Sequence, residues 1–586
     1  MRSKMFAFFA VLVVASMLLA ACGQATTPTP AKVVETVVVS VKGETIVVTA
    51  TPAAVVKPAV LRINLGTYPD IIDPQKSSFV NEIAHLKMVY EGLTRLNEKL
   101  ETTPGAAEVW KYNADATALT FTLRKGLKYS DGGPLNAKRF EYAILRNIDP
   151  VTAGEYGSIT DEIVGASEWR TSDVAKDGQA ALKAAVGVHA LDAAGAACKD
   201  YAQVDCLTLA LTFRQPAPYF HTVMSLWVTF PAKEELIAEG GDNWWNSSKF
   251  QVGNGPFVLQ NLEPFVRAYF VPNKNYWRGQ ATYDLEYRYI NDSAVDFAAY
   301  KNNEFDIIGP GAEDIPTIRA DAALSKELMQ YPGSCTYAVY FTPTKPPFDD
   351  QKAREAFSYA LDRTGWVKDV LKDAGSPTLT WIPKGFPGYD ATEARWAFDA
   401  AKAKEALAAS KYAAKFPEVT ATFGDTPRNR TRWEWLAAKW KDTLGIDVKL
   451  NPVEPTTFTA LTKDKATIPQ MFILGWCADY PDPQNWLSVY WMTTSAYAQR
   501  YSYSNPALDK LMKAGDIEID PTKRAQDYAD AQKLLTSDAA VAFMWNNINI
   551  YLVKPWVTGY VMTPQDADWI GSGDPLTIKI NTALIP

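Results

Sequence analysis

The first 22 residues set the compartment in which the rest of this chain must fold. Arg2 and Lys4 open the segment, an apolar run extends from Met5 to Leu19, and Leu19-Ala20-Ala21-Cys22 closes it. The run is short for a membrane span and ends in small residues, which is the pattern of a cleaved secretory signal. Export has two structural consequences. The mature fold starts after residue 21, and its remaining cysteines meet an oxidising solvent.

The tetrapeptide LAAC resembles the lipobox of bacterial lipoproteins. The resemblance implies cleavage before Cys22, acylation of that residue, and a lipid tether to a bacterial membrane, in the periplasm or at the cell surface. An ordinary cleaved signal with a chance cysteine is the alternative. No later stretch is apolar enough to cross a bilayer, and 586 residues suffice for two or three domains with a large core. The net charge is −7, and loss of residues 1–21 with Arg2 and Lys4 makes it −9. Such a balance argues against nucleic acid as a partner, since phosphate neutralisation needs a basic face. The 18 Trp, 28 Tyr and 25 Phe supply a core and also suit a cleft for apolar or amphipathic ligands.

Beyond Cys22 the cysteines are Cys198, Cys206, Cys335 and Cys477, an even set that predicts two disulfides in one of three connectivities. No Cys-x-x-Cys occurs, and His85, His189 and His221 are far apart, so neither a metal site nor a cofactor is expected. Neither Gly-x-Ser-x-Gly nor His-Glu-x-x-His is present. Gly253-Asn254-Gly255 lacks the third glycine of a phosphate loop and runs into Pro256. With 66 acidic residues and no pair singled out, a secreted glycoside or peptide hydrolase stays a remote alternative to a binding protein without enzymatic activity.

Residues 22–60, rich in Thr, Val and Pro, read as a spacer holding the body off the membrane, with a small hairpin as the alternative. No internal repeat is visible in the body. The segment LRINLG from Leu61 and the alternating LTLALTF from Leu207 to Phe213 predict strands. Residues 351–363 place Ala353, Phe357, Ala360 and Leu361 on one helical face. Trp435, Leu436, Trp440 and Leu444 follow helical spacing before Gly445, and Asp520-Pro521 opens another helix. The mixture predicts an α/β or α+β protein.

Several segments, in order, resemble the bacterial extracellular solute-binding proteins of family 5, the peptide/nickel class of ABC-importer receptors. They are Asp73-Pro74, Tyr90-Glu91-Gly92-Leu93, the stretch Thr120 to Phe140, Asn254-Gly255-Pro256-Phe257, Asn273 to Trp277, and PPFDDQKAREAFSYALDR at 346–363. Within that family the chain is similar to the oligopeptide-binding group, through GWCADY at Gly475 to Tyr480, LVKPWV with Gly559-Tyr560, and Cys335-Thr336-Tyr337. The resemblance implies a two-lobed clamshell of three domains. Domain I is discontinuous (61–96, 237–334, 553–586), domain II is 97–236 and domain III is 335–552. It implies a monomer that traps a peptide or other small solute between the lobes and delivers it to the permease subunits of an ABC importer. It also implies a Cys335–Cys477 bond, while closeness in sequence pairs Cys198 with Cys206.

The same resemblance gives Asp479 the role of binding a peptide's α-ammonium, where a buried carboxylate makes a charge-assisted hydrogen bond. A turn aspartate in DYPDP is the plainer alternative. The backbone of Gly475, Trp476 and Cys477 is implied to pair with an extended peptide, with Val80 on a strand at its other side. Tyr156 is implied to contact ligand from domain II, and Trp476 to line a side-chain pocket or the core. Asn547 stands where the group has a ligand-site tyrosine. Ile473 and Leu371 stand at basic positions of the group, so partners for a peptide carboxylate are missing there. Lys372, Lys463 and Lys465 are the nearby cations. An oligosaccharide, a nickel chelate or another small solute is the alternative ligand on the same fold.

Overall fold

The computed structural model describes residues 36–41, 44–49, 59–565 and 574–586. Cys22 and the signal segment lie outside them. The chain divides into two units, residues 1–57 and 58–586. In the first, Thr36–Val41 and Glu44–Thr49 pair antiparallel, with Thr36 opposite Thr49. The hairpin alternative therefore forms within the expected spacer. Its two segments are rich in β-branched residues, which favour a pleated strand.

The second unit is built on an eleven-stranded sheet. One end holds Phe257–Glu263, Arg267–Pro272, Tyr283–Arg288, Ala59–Asn64 and Ile307–Ile308. The other end holds Met471–Cys477, Val419–Gly424 and Val448–Val453. Two long strands, Val541–Val553 and Leu328–Phe341, join the halves, and short Gly375–Pro377 lies on the first of them. A second sheet orders Ala107–Tyr112, Ala118–Leu123, Thr208–Thr212 and Val188–Leu191. The mixed α/β class follows as expected, and the strand predicted at LTLALTF is the third of these four.

Strand alternation decides which core each residue of the long strands enters. Ala338 and Tyr340 join one core with Trp381, Trp486 and Tyr490, whereas Val339 and Phe341 join another with Trp366, Trp433 and Trp440. A third core gathers Leu61, Ile63, Leu86, Phe121, Ile144 and Leu285, so both sheets share it. The two long strands pair in three registers, from Leu328 opposite Leu552 to Pro332 opposite Ile548, then Thr336 opposite Asn546 and Tyr337 opposite Trp545, and then from Ala338 opposite Phe543. The first break falls at Gly333, where an added Cβ would stand 2.2 Å from the Asn547 amide. A second shift beyond Tyr337 sets Met544 and Trp545 in the same core, because a bulge carries one residue past the alternation.

The helices follow their local signals closely. Asp350 and Asp520 cap Gln351–Tyr359 and Pro521–Ser537 through their side chains. Ala353, Phe357, Ala360 and Leu361 are fully buried. The tryptophan helix is longer than its apolar spacing indicates. It starts at Pro427 behind the Thr426 cap and ends with Gly445 at φ 73°. Its buried face carries Trp433, Leu436 and Trp440, with Trp435 half-buried beside it. Both disulfides form. Cys198 bonds Cys206, and Cys335 bonds Cys477 directly across the sheet register with Cα atoms 3.9 Å apart. Among the described residues no helix is long and apolar enough to cross a membrane.

Candidate functional site

Met471–Cys477 pairs along its whole length with Leu328–Phe341 on one side. On its other side Val419–Gly424 meets it only at Met471, opposite Ala421. From Phe472 to Cys477 that edge has no strand partner among the described residues, so it offers backbone groups for pairing with an extended chain. Gly475 lies on this stretch and packs under the Tyr337 ring, where a Cβ would stand 2.6 Å from a ring carbon. Cys477 is locked to the neighbouring strand by its disulfide.

Asp479 follows at the end of this edge and is half-buried. Asn485, fully buried, organises the turn: its Oδ1 accepts from the Asp479 backbone N–H at 3.1 Å and from Trp476 Nε1 at 3.2 Å. Asn485 Nδ2 donates to Asp479 Oδ2 at 3.3 Å, and the Tyr156 hydroxyl donates to the same oxygen. Both bonds converge on Oδ2, which leaves Oδ1 for a ligand donor. Gln565 Nε2 holds the backbone carbonyls of Ala478 and Asp479 at 3.1 and 3.0 Å. Burial pushes the Asp479 carboxyl up to about 6, against the opposing pull of the Tyr156 and Asn485 hydrogen bonds. Burial, followed by the nearby Asp479 charge, raises the Tyr156 phenol well above its ordinary value, so it stays a donor.

Tyr156 stacks on Trp227 with centroids 5.5 Å apart and planes 11° apart. Trp476 is half-buried and packs at the rim of a core, with Tyr497 at 4.9 Å and Tyr490 at 5.1 Å. Tyr156, Trp476, Cys477 and Asp479 are thus brought to one place. Val80 is different. It is the first residue of the helix Val80–Val89, not part of a strand, because the Glu82 carboxylate accepts from the Ser78 and Phe79 N–H groups and starts the helix there. Val80 is half exposed and lines a cavity of about 360 Å³ with Asn64, Asn81 and Tyr551.

A larger cavity of about 1190 Å³ shares Ser293 and Gly309 with that one. Asn547 lines it while its Oδ1 accepts from the Cys335 N–H at 2.8 Å, so this side chain also fills the register break. Leu371 and Lys372 line it too, whereas Lys463 and Lys465 are exposed and border neither cavity. Sequence reasoning missed Asn485, Gln565, Tyr497, Arg428 and Arg432. Asn485 and Tyr497 come from short helices, Gln565 from a distant segment, and Arg428 and Arg432 line the larger cavity from the helix Pro427–Leu444; no local pattern marks them. Among the described residues no group of three His, Cys, Asp or Glu side chains is placed to hold a metal.

The chain is similar to known proteins over most of its length. The periplasmic oligopeptide-binding protein OppA of Salmonella typhimurium is 28% identical over 513 residues, covering 85% of this chain and 89% of that protein. The structure of the Escherichia coli murein tripeptide binding protein MppA superposes with a TM-score of 0.73 at 25% identity, covering 90% of this chain and 99% of the other. Haemophilus influenzae OppA in complex with RPPGFSPFR gives a TM-score of 0.70 at 25% identity, with 89% and 99% covered. These neighbours share the two-lobed binding-protein fold. Residues 101–498 match the family described as bacterial extracellular solute-binding proteins, family 5 Middle, and over that span the chain belongs to this family.

Proposed function

We propose that this protein captures peptides outside the cytoplasm and delivers them to the permease of an ABC importer, held at the membrane by lipid on Cys22 and working as a monomer that performs no chemistry on its cargo. The observation that carries the reading is the open strand edge from Phe472 to Cys477 ending at the half-buried Asp479 carboxyl. An extended peptide pairs with such an edge through its main chain, which is blind to side chains, and its terminal ammonium meets the carboxylate. Asp479, Trp476, Cys477, Gly475 and Tyr156 act as the ligand-contacting set, with Val80 and Asn547 on the walls of the adjoining cavities. In this reading the body divides into domain I (61–96, 237–334 and 553–586), domain II (97–236) and domain III (335–552), and the long strands 328–341 and 541–553 connect the lobes. The test has two parts. Mass spectrometry identifies small molecules released when the purified protein is denatured, and calorimetry measures binding of alanine peptides of two to six residues. Released peptides and saturable peptide binding support the reading. Release of a sugar or metal chelate, with no peptide bound, refutes it.

A further inference from the structure

The helix Pro427–Leu444 begins in an electrostatically unfavourable way. Arg428, Arg430 and Arg432 fall in its first two turns, and its first turn has no acid, although the helix dipole favours negative charge there. Arg430 turns outward and pairs with Asp425. Arg428 and Arg432, four residues apart on one face, have no carboxylate within ion-pair distance among the described residues, and like charges at this spacing repel. Both line the cavity of about 1190 Å³. The other charged groups on that wall are Lys372 and Glu313, so three cations face one carboxylate in a chain whose net charge is −7.

Arg432 is half-buried, with its guanidinium 5.6 Å over the Trp545 ring, and Trp545 stacks on Tyr337 at 4.5 Å. Burial and then neighbouring Arg428 hold the Arg432 guanidinium below its ordinary value, with Tyr337 opposing. The protein therefore keeps a cation where both the loss of solvent and the neighbouring Arg428 disfavour one, and a bound anion offsets both effects. The position suits a solute on the open strand edge. Tyr337, on the cavity wall, pairs with Gly475 of that edge, and the strand leading to the arginine helix passes Met471 at Ala421.

We propose that this cavity receives a carboxylate of the bound solute on Arg432 and Arg428, so that the solute carries opposite charges at its two ends. The proposal rests on the peptide reading of the Asp479 edge. It supplies, from a different element, the anion partners that Ile473 and Leu371 do not provide. The carboxylate is either the C-terminus of a peptide or an acidic side chain, and one experiment separates these. Calorimetry compares alanine peptides of three to six residues as free acids, as C-terminal amides, and as amides with one Glu at each position. Wild type, Arg432→Gln, Arg428→Gln and the double variant are tested, each checked by circular dichroism and melting.

Amidation is expected to weaken wild-type binding at least about tenfold, Arg432→Gln to do the same, and the two changes together to add little. If a Glu restores binding of the amide in wild type but not in the double variant, the side chain is the source. As a peptide-independent arm, glutarate should raise the melting temperature of wild type more than that of the double variant at equal ionic strength. Equal binding of acid, amide and Glu-containing amide by wild type and double variant overturns the anion site while peptide capture stands. No peptide binding in any form, with equal glutarate shifts, overturns both.

Discussion

Replacing Asp479 with Asn isolates the charge at the end of the open edge. The two side chains are nearly isosteric. Asn Oδ1 can accept from Tyr156 and Asn485 as Asp479 Oδ2 does, so the turn should keep its shape. What is lost is the negative charge available to a ligand ammonium. Removing one member of a desolvated charge pair costs about 2–5 kcal/mol, or tens to thousands-fold in affinity. The carboxyl itself supplies a second, independent magnitude. With a value of about 6, it is about nine-tenths ionised at pH 7 and about one-tenth ionised at pH 5, while a peptide amine stays charged throughout. Affinity of wild type for the tightest alanine peptide should therefore fall about tenfold between pH 7 and pH 5, and the Asn variant should lack that slope. The sign for stability is opposite. A carboxyl raised in the folded state destabilises the fold when ionised; the penalty is absent below about pH 4, grows toward pH 6 and is full above it. Ligand-free Asp479→Asn should then be more stable than wild type at pH 7, by up to about 3 kcal/mol, and equal to it at pH 4. Calorimetry with the free and N-acetylated peptide on both proteins closes a double-mutant cycle, in which acetylation should cost wild type far more than the variant. A variant that binds the free peptide as tightly as wild type, with the same pH slope, would refute the ammonium reading.

Cys22→Ser should move the protein from the membrane to the soluble fraction, and mass spectrometry of the wild type should find an acylated N-terminal Cys22; a soluble wild type beginning at another residue contradicts this. Replacing Cys335 and Cys477 together with Ala removes a cross-link closing 142 residues, expected to cost about 5 kcal/mol by chain entropy, against about 2.5 kcal/mol for the 8-residue Cys198–Cys206 link. Denaturant unfolding of the two double variants should show that ranking. Asp516 is buried beneath hydrogen bonds from Ser488 and Tyr528, and burial pushes its carboxyl up to about 7. The penalty for ionising Asp516 is therefore absent below about pH 4, grows up to about pH 7 and is full above it, so Asp516→Asn should gain stability over wild type at pH 8 and little at pH 4, measured by urea melts.

Sequence alone determined those features whose cause is local. Asp350, Asp520 and Gly445 mark helix ends because a cap acts on residues within one turn. The strand at Thr208–Thr212 follows from alternation, and the buried face at Ala353, Phe357 and Leu361 from helical spacing. The ordered family segments carried the fold class, and the GWCADY segment pointed to Asp479 as a candidate ligand contact. The family resemblance misled at one point: it implies a strand at Val80, but Glu82 hydrogen-bonds back to the chain and starts a helix. Only the tertiary structure decided what depends on strand register. Residues 328–341 and 541–553 are more than 200 positions apart, and the two shifts in their pairing put Asn547 into the break and Trp545 against Tyr337. Asn485 and Gln565 reach Asp479 from a short helix and from a distant segment, and Arg428 and Arg432 look like surface charge until a helix face turns them to a cavity. The physical reason is that periodicity and capping are written into neighbouring residues, whereas a binding site is made by side chains that meet only once distant strands have chosen their partners.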